Sequence, residues 1–150
     1  MQPEIDYRRA APDGIAALAG LETYVRHCGL EPELLELVRT RVSQINGCAY
    51  CIDMHTKDAR ARGESEQRLY ALSAWRETPF FTGRERAALG WTEALTRIFG
   101  SGVLDDDYKL AQEQFTEKEL VDLSFAVIAI NGWNRLAIPF HTRPGTYHAK

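Results

Sequence analysis

Apolar residues recur along the chain at intervals of three and four, the period of a helix that turns one face inward. From about Asp13 to His27, Ile15, Leu18, Leu21 and Val25 share one stripe, and Gly29 offers a stop. Pro32 suits the first turn of a second helix, whose stripe is Leu34, Leu35, Val38, Val42 and Ile45, ended by Asn46-Gly47. A third helix is predicted from about Cys48 to Arg62, closed by Gly63, and a fourth from Ser65-Glu66 through Leu69, Leu72 and Trp75. Thr82 with Glu85 forms a capping-box pattern that opens a fifth, running to about Phe99. Gly100 and Gly102 mark a turn, and Asp105 to Asp107 suit the positive end of a sixth helix reaching Phe115. Thr116 with Glu119 is a second capping box, opening a seventh helix to about Leu136. Pro3 and Pro12 predict an irregular lead-in over 1–12; Pro139 ends regular structure, leaving an extended or loosely docked tail over 138–150. No stretch alternates in twos with β-branched residues, so the fold class is all-α, a bundle of about seven helices in a single domain over 1–150.

Composition narrows the functional classes. At 150 residues, 45% hydrophobic and 26% charged, the chain is long enough and apolar enough to bury a core without staples. A formal net charge of -3 argues against a nucleic-acid binder, which would normally show a basic face. Residues 1–14, MQPEIDYRRAAPDG, lack the apolar region of a signal peptide. The apolar run Val121 to Ile130 contains Asp122 and is too short to span a bilayer. A soluble, cytoplasmic protein is expected, with no nucleic-acid or membrane partner. One echo stands out: Ile45-Asn46-Gly47 recurs as Ile130-Asn131-Gly132. As a repeat it predicts two related helical hairpins, only the first carrying chemistry.

The chemistry concentrates in Glu36 to His55, ELVRTRVSQINGCAYCIDMH. Three cysteines cannot all close into disulfides, and in a cytosolic chain a C-x-x-C pair favours redox or metal chemistry over a structural bridge. If the second and third helices pack as an antiparallel hairpin about Gly47, Glu36 lies roughly 16 Å down one arm and His55 roughly 12 Å down the other. Cys51 and His55, four apart, share a helix face. The spacing permits a Glu36–His55–Cys51 line with Cys48 at the helix start. Such a line can take a thiol proton, and the helix N-terminus favours a thiolate on Cys48. A thiolate attacking a peroxide O–O bond becomes a sulfenic acid, which the second cysteine resolves as a disulfide. The metal alternative needs four ligands: Cys48, Cys51 and His55, plus His27, Cys28, His141 or His148 at no recognisable spacing. Ile52, where haem attachment needs histidine, removes that option.

The spacing of Glu36, Cys48, Cys51 and His55 resembles the E-x11-C-x-x-C-x3-H signature of alkylhydroperoxidase AhpD-like proteins, within the carboxymuconolactone decarboxylase-like superfamily. That resemblance covers roughly residues 13–137. It implies an all-α oligomer, of trimers or assemblies of trimers, and a thiol-dependent peroxidase. It further implies a redox-active disulfide between Cys48 and Cys51, with Cys51 attacking the peroxide, Cys48 resolving, and His55 and Glu36 relaying the proton. Tyr50 stands where some members have a second histidine.

The expected activity is thus hydroperoxide reduction fed by a thiol donor the sequence does not name, with no cofactor and no metal. Three alternatives remain at this point. A thiol-disulfide relay would use the same dithiol. A decarboxylase-like lyase would use His55 and Glu36 as acid and base, and a zinc-stabilised interaction domain would use the cysteines as ligands. Large apolar residues, Trp75, Phe80, Phe81, Trp91 and Trp133 among them, predict a homo-oligomer through surface left over from the core.

Overall fold

The computed structural model describes residues 5–150; residues 1–4 of the expected lead-in lie outside them. The fold is all-α. Among the described residues there are eight α-helices, one 3₁₀ segment and no strand. The helices are α1 (Tyr7–Ala10), α2 (Pro12–His27), α3 (Pro32–Asn46), α4 (Ala49–Ala61), α5 (Glu66–Ala71), α6 (Gly83–Thr96), α7 (Asp105–Gln114) and α8 (Glu117–Ala137). The 3₁₀ segment, Leu72–Glu77, follows α5 directly. No helix among the described residues is long and apolar enough to cross a membrane.

Helix α3 is the centre, packed against α4, α6 and α8. Every residue from Leu34 to Ser43 on it is buried. A helix buried on all sides is ordinarily apolar on all sides, yet α3 carries Glu36, Arg39 and Arg41 in that span. An unpaired charge there would be costly, and each is paired. Arg39 donates to Glu36 at 2.8 Å and to Glu22 of α2 at 2.5 Å; Arg41 donates to Glu93 of α6 at 2.8 Å. Glu93 also accepts from Trp75 Nε1 at 2.8 Å, which ties the 3₁₀ segment to the same network.

A polar ladder joins the end of α3 to α8. Asn46 Nδ2 donates to the side-chain oxygens of Asn131 and Asn134, each at 2.9 Å, and Asn134 Nδ2 donates to Ser43 Oγ at 3.2 Å. The two copies of the Ile-Asn-Gly echo therefore touch but do not share a conformation. Gly47 ends α3 in the left-handed region at φ 71°, whereas Gly132 lies inside α8, which continues to Ala137. Asn46 and Asn131 meet as partners across the core, and Gly132 opens no second hairpin because α8 runs on through it.

Both capping boxes are present, Thr82 with Glu85 on α6 and Thr116 with Glu119 on α8. The structure departs from the expected elements in three places. Residues 7–10 of the lead-in form α1, because the Asp6 carboxylate accepts from the backbone N–H groups of Arg8 and Arg9. The expected fourth helix breaks after α5, with Ala74 at φ -119° and ψ 31°, where Trp75 joins a second core with Leu37, Leu69, Leu72, Phe81 and Leu89. Helix α6 stops at Thr96, which leaves Phe99 exposed in the turn that follows.

Candidate functional site

Gly47 at positive φ turns the chain from α3 into α4, and Cys48 is the residue that caps α4. The Cys48 sulfur accepts from the Cys51 backbone N–H at 3.4 Å, so one of the free donors at the helix start is met by sulfur. The Sγ atoms of Cys48 and Cys51 are at bonding distance, with Cα atoms 5.4 Å apart, and both residues are buried. One turn along the same face of α4 is His55, and one more turn brings Asp58.

From the other arm of the hairpin, Glu36 of α3 reaches His55. Glu36 Oε2 and His55 Nδ1 are 2.9 Å apart, and the other carboxylate oxygen accepts from Arg39. Both Glu36 and His55 are buried. Burial alone would raise the Glu36 carboxyl, but the His55 hydrogen bond and the charges of His55 and Arg39 outweigh it and hold the group below the usual carboxylate range. The expected neighbourhood of Glu36 and His55 across the hairpin is thus present, as is the placement of Cys51 on the His55 face.

The remaining sulfur and imidazole candidates lie elsewhere. His27 ends α2, with Nδ1 2.8 Å from the Thr23 carbonyl, and the Cys28 thiol donates to the Val25 carbonyl at 3.0 Å. The tail holds His141 and His148. His141 lines a cleft of about 400 Å³ with Cys48, Tyr50, Ala137, Ile138 and Pro144. This cleft is bordered by Cys48 and not by Cys51. Among the described residues the donor atoms close enough to share a metal ion are those of Glu36, His55 and Asp58, within 4.8 Å of one another, and neither cysteine belongs to that group. Both Glu36 oxygens and one Asp58 oxygen already have hydrogen-bond partners, so the trio is satisfied as a polar network.

Two parts of this network had no signal in the sequence. Arg39 is one, a residue that ties Glu36 to Glu22 of α2. The other is the tail, which docks on α4: Gly145 N–H donates to Asp53 at 2.9 Å, Lys57 Nζ donates to the Tyr147 carbonyl at 3.0 Å, and Tyr147 OH donates to Asp58 at 2.7 Å. Burial first, then the Asp58 hydrogen bond and charge, push the Tyr147 hydroxyl up to about 12, with Glu36 and Tyr50 adding to the effect. A lone tyrosine three residues before the last carries no pattern that would single it out.

The family model for carboxymuconolactone decarboxylases matches residues 10–94, which contain all four of Glu36, Cys48, Cys51 and His55. The chain belongs to the carboxymuconolactone decarboxylase family. Within that family it is AhpD-like. It is 41% identical over 143 residues to the uncharacterized protein YdfG of Bacillus subtilis, covering 95% of this chain and 97% of that one. It is also similar to a crystal structure of a protein of unknown function from Agrobacterium tumefaciens, whose proposed role is that of an antioxidant defence protein AhpD. That match has 41% identity and a TM-score of 0.93, over 97% of this chain and all of that one (100%). The debrominase Bmp8 shares the fold alone, with a TM-score of 0.79 at 18% identity, covering 91% of this chain and 74% of that one.

Proposed function

We propose that this family member is a thiol-dependent hydroperoxide reductase. The observation that carries the proposal is the buried Glu36–His55 hydrogen bond on the helix face that also bears Cys51, one turn from a bonded Cys48–Cys51 pair. In the reduced protein, His55 takes the Cys51 thiol proton while Glu36 orients the ring and stabilises its charge. The Cys51 thiolate attacks the outer peroxide oxygen, the O–O bond breaks, and the alkoxide leaves as alcohol with the proton held by His55. Cys51 is now a sulfenic acid. Cys48 attacks its sulfur, water leaves, and the disulfide forms. An external thiol donor supplies two electrons and two protons to restore the dithiol.

A second reading, a thiol-disulfide relay, is favoured by one feature: the cleft is bordered by Cys48, the sulfur that an exchanging thiol would meet first. The two readings diverge on mixing. Hydroperoxide added to reduced protein should convert Cys48 and Cys51 to the disulfide within seconds and be consumed in equal amount under the first reading. Slow oxidation beside rapid exchange with a small disulfide would favour the second. Activity on a lactone substrate that survives Cys48→Ser/Cys51→Ser would favour a lyase and sink both.

A further inference from the structure

The tail residue Tyr147 closes the line of side chains that runs along the inner face of α4. Cys51, His55 and Asp58 are spaced four and three apart, and Tyr147 OH donates to the last of them at 2.7 Å. Two carboxylates, Glu36 and Asp58, therefore stand within 4.8 Å of the His55 ring. Only one of them can hold Nδ1, and in the structure Glu36 does, at 2.9 Å. Asp58 has the tyrosine hydroxyl instead. The tail is held over this end of the site by two backbone contacts to α4, Gly145 with Asp53 and Tyr147 with Lys57, so the hydroxyl is delivered by a fixed segment.

We propose that Tyr147 is a positioning residue of the dithiol site, which occupies Asp58 so that His55 remains on Glu36 and within reach of Cys51. The proposal rests on the dithiol reading above, because it assigns His55 as the base for Cys51. Its physical content is competition for one donor. A half-buried carboxylate deprived of its hydrogen bond takes the nearest available donor, since leaving it unmet costs more than the bond itself gains. Without the hydroxyl, the His55 ring, with a nitrogen within 4.8 Å of an Asp58 oxygen, is the donor that the proposal has Asp58 recruit. The ring then turns toward Asp58, and the Cys51 thiol loses the base that accepts its proton.

The charged and titratable groups around His55 define what else must stay fixed. Glu36 faces it from α3, with Arg39 bonded to the far oxygen of Glu36 and Glu22 of α2 bonded in turn to Arg39. Asp58 and Tyr50 lie on α4, and Tyr147 comes from the tail. Lys57 is committed to Asp53 and the tail backbone. Tyr147→Phe removes one oxygen atom from this set, the one that donates to Asp58, and changes no formal charge at neutral pH.

The test uses the full reduced chain as wild type, Tyr147→Phe, and Tyr147→Phe combined with Asp58→Asn. Iodoacetamide labelling at Cys51, resolved by peptide mass, is followed from about pH 5 to about pH 10, with peroxide consumption measured in parallel. Phenylalanine keeps the ring and its packing. Tyr147→Phe should move the labelling midpoint upward by about half a pH unit or more, a loss of about three-fold in rate below the midpoint. Adding Asp58→Asn removes the competing charge and should return the midpoint toward wild type. An unchanged profile in Tyr147→Phe overturns the proposal. So does a uniform slowing with no midpoint shift, or a shift that Asp58→Asn fails to reverse, since either would make the effect one of packing. If the profile moves as expected while the wild type consumes no peroxide, the peroxidase reading fails and the role of Tyr147 stands.

Discussion

At the scale of single residues the site depends on Glu36, a carboxylate kept charged in the middle of a buried helix. Its two oxygens are divided between His55 and Arg39, so it is both an anchor of the core and the partner of the imidazole. Glu36→Gln keeps the shape and removes the charge. The Cys51 thiolate should then form less readily, and labelling and peroxide consumption at neutral pH should fall several-fold, about ten-fold for each full pKa unit. His55→Ala should cost at least as much, and the double variant little more than the worse single one, as for groups that act as a unit. Additive losses would separate the two residues. The same carboxylate sets an acid limit. A carboxyl held below its ordinary value stabilises the fold above the ordinary range, about pH 4.3, and that contribution drains away as pH falls through the lower folded value. Glu93, lowered by Trp75 and Arg41 against the opposing effect of burial, behaves likewise. Urea denaturation of the wild type should show stability falling below about pH 5, less steeply in Glu36→Gln.

At the scale of elements the hairpin of α3 and α4 delivers the chemistry, and its turn is the point most exposed to substitution. Gly47 sits at φ 71° with nothing within 4 Å of where a Cβ would project. Gly47→Ala should therefore cost backbone strain alone, about 1–2 kcal/mol in urea denaturation. A loss under a few tenths would mean that the turn relaxes without penalty. This turn was readable because Asn-Gly after an apolar stripe has a local cause, and so were the two capping boxes, whose partners are three residues apart. Glu36 and His55 could be paired from helical rise alone. Other features have no local cause. The break after α5 follows Trp75, whose indole finds Glu93 some way along the chain. The docked tail depends on Asp53, Lys57 and Asp58, which on α4 look like an ordinary solvated face. The full burial of α3 was hidden because its charged residues read as surface until Glu22 and Glu93 are brought alongside.

At the scale of the whole molecule, the apolar residues left outside the core differ from those the sequence singled out. Trp75, Phe81 and Trp91 are buried, and Phe80 is partly exposed. On α8, however, Val121, Phe125 and Ile128 recur at helical spacing on an exposed face, and Phe125 meets the ring of Tyr24 edge-on at 5.9 Å. A second exposed group, Ile98, Phe99, Leu104, Tyr108 and Leu110, lies about the turn between α6 and α7. We propose that the chain self-associates through such a face, as a trimer or a hexamer. Light scattering at micromolar concentration should give a multiple of 17.0 kDa, reduced by Ile128→Glu; a species of 17.0 kDa in the wild type would contradict this.

The most direct test of the account is a single mixing experiment. Reduced protein is combined with one equivalent of an organic hydroperoxide, quenched at intervals by alkylation, and mapped by mass. Cys48 and Cys51 should disappear together into one disulfide as the peroxide is consumed in equal amount, while Cys28 stays free to be alkylated. Peroxide that persists beside free Cys48 and Cys51, or a main disulfide that contains Cys28, would contradict it.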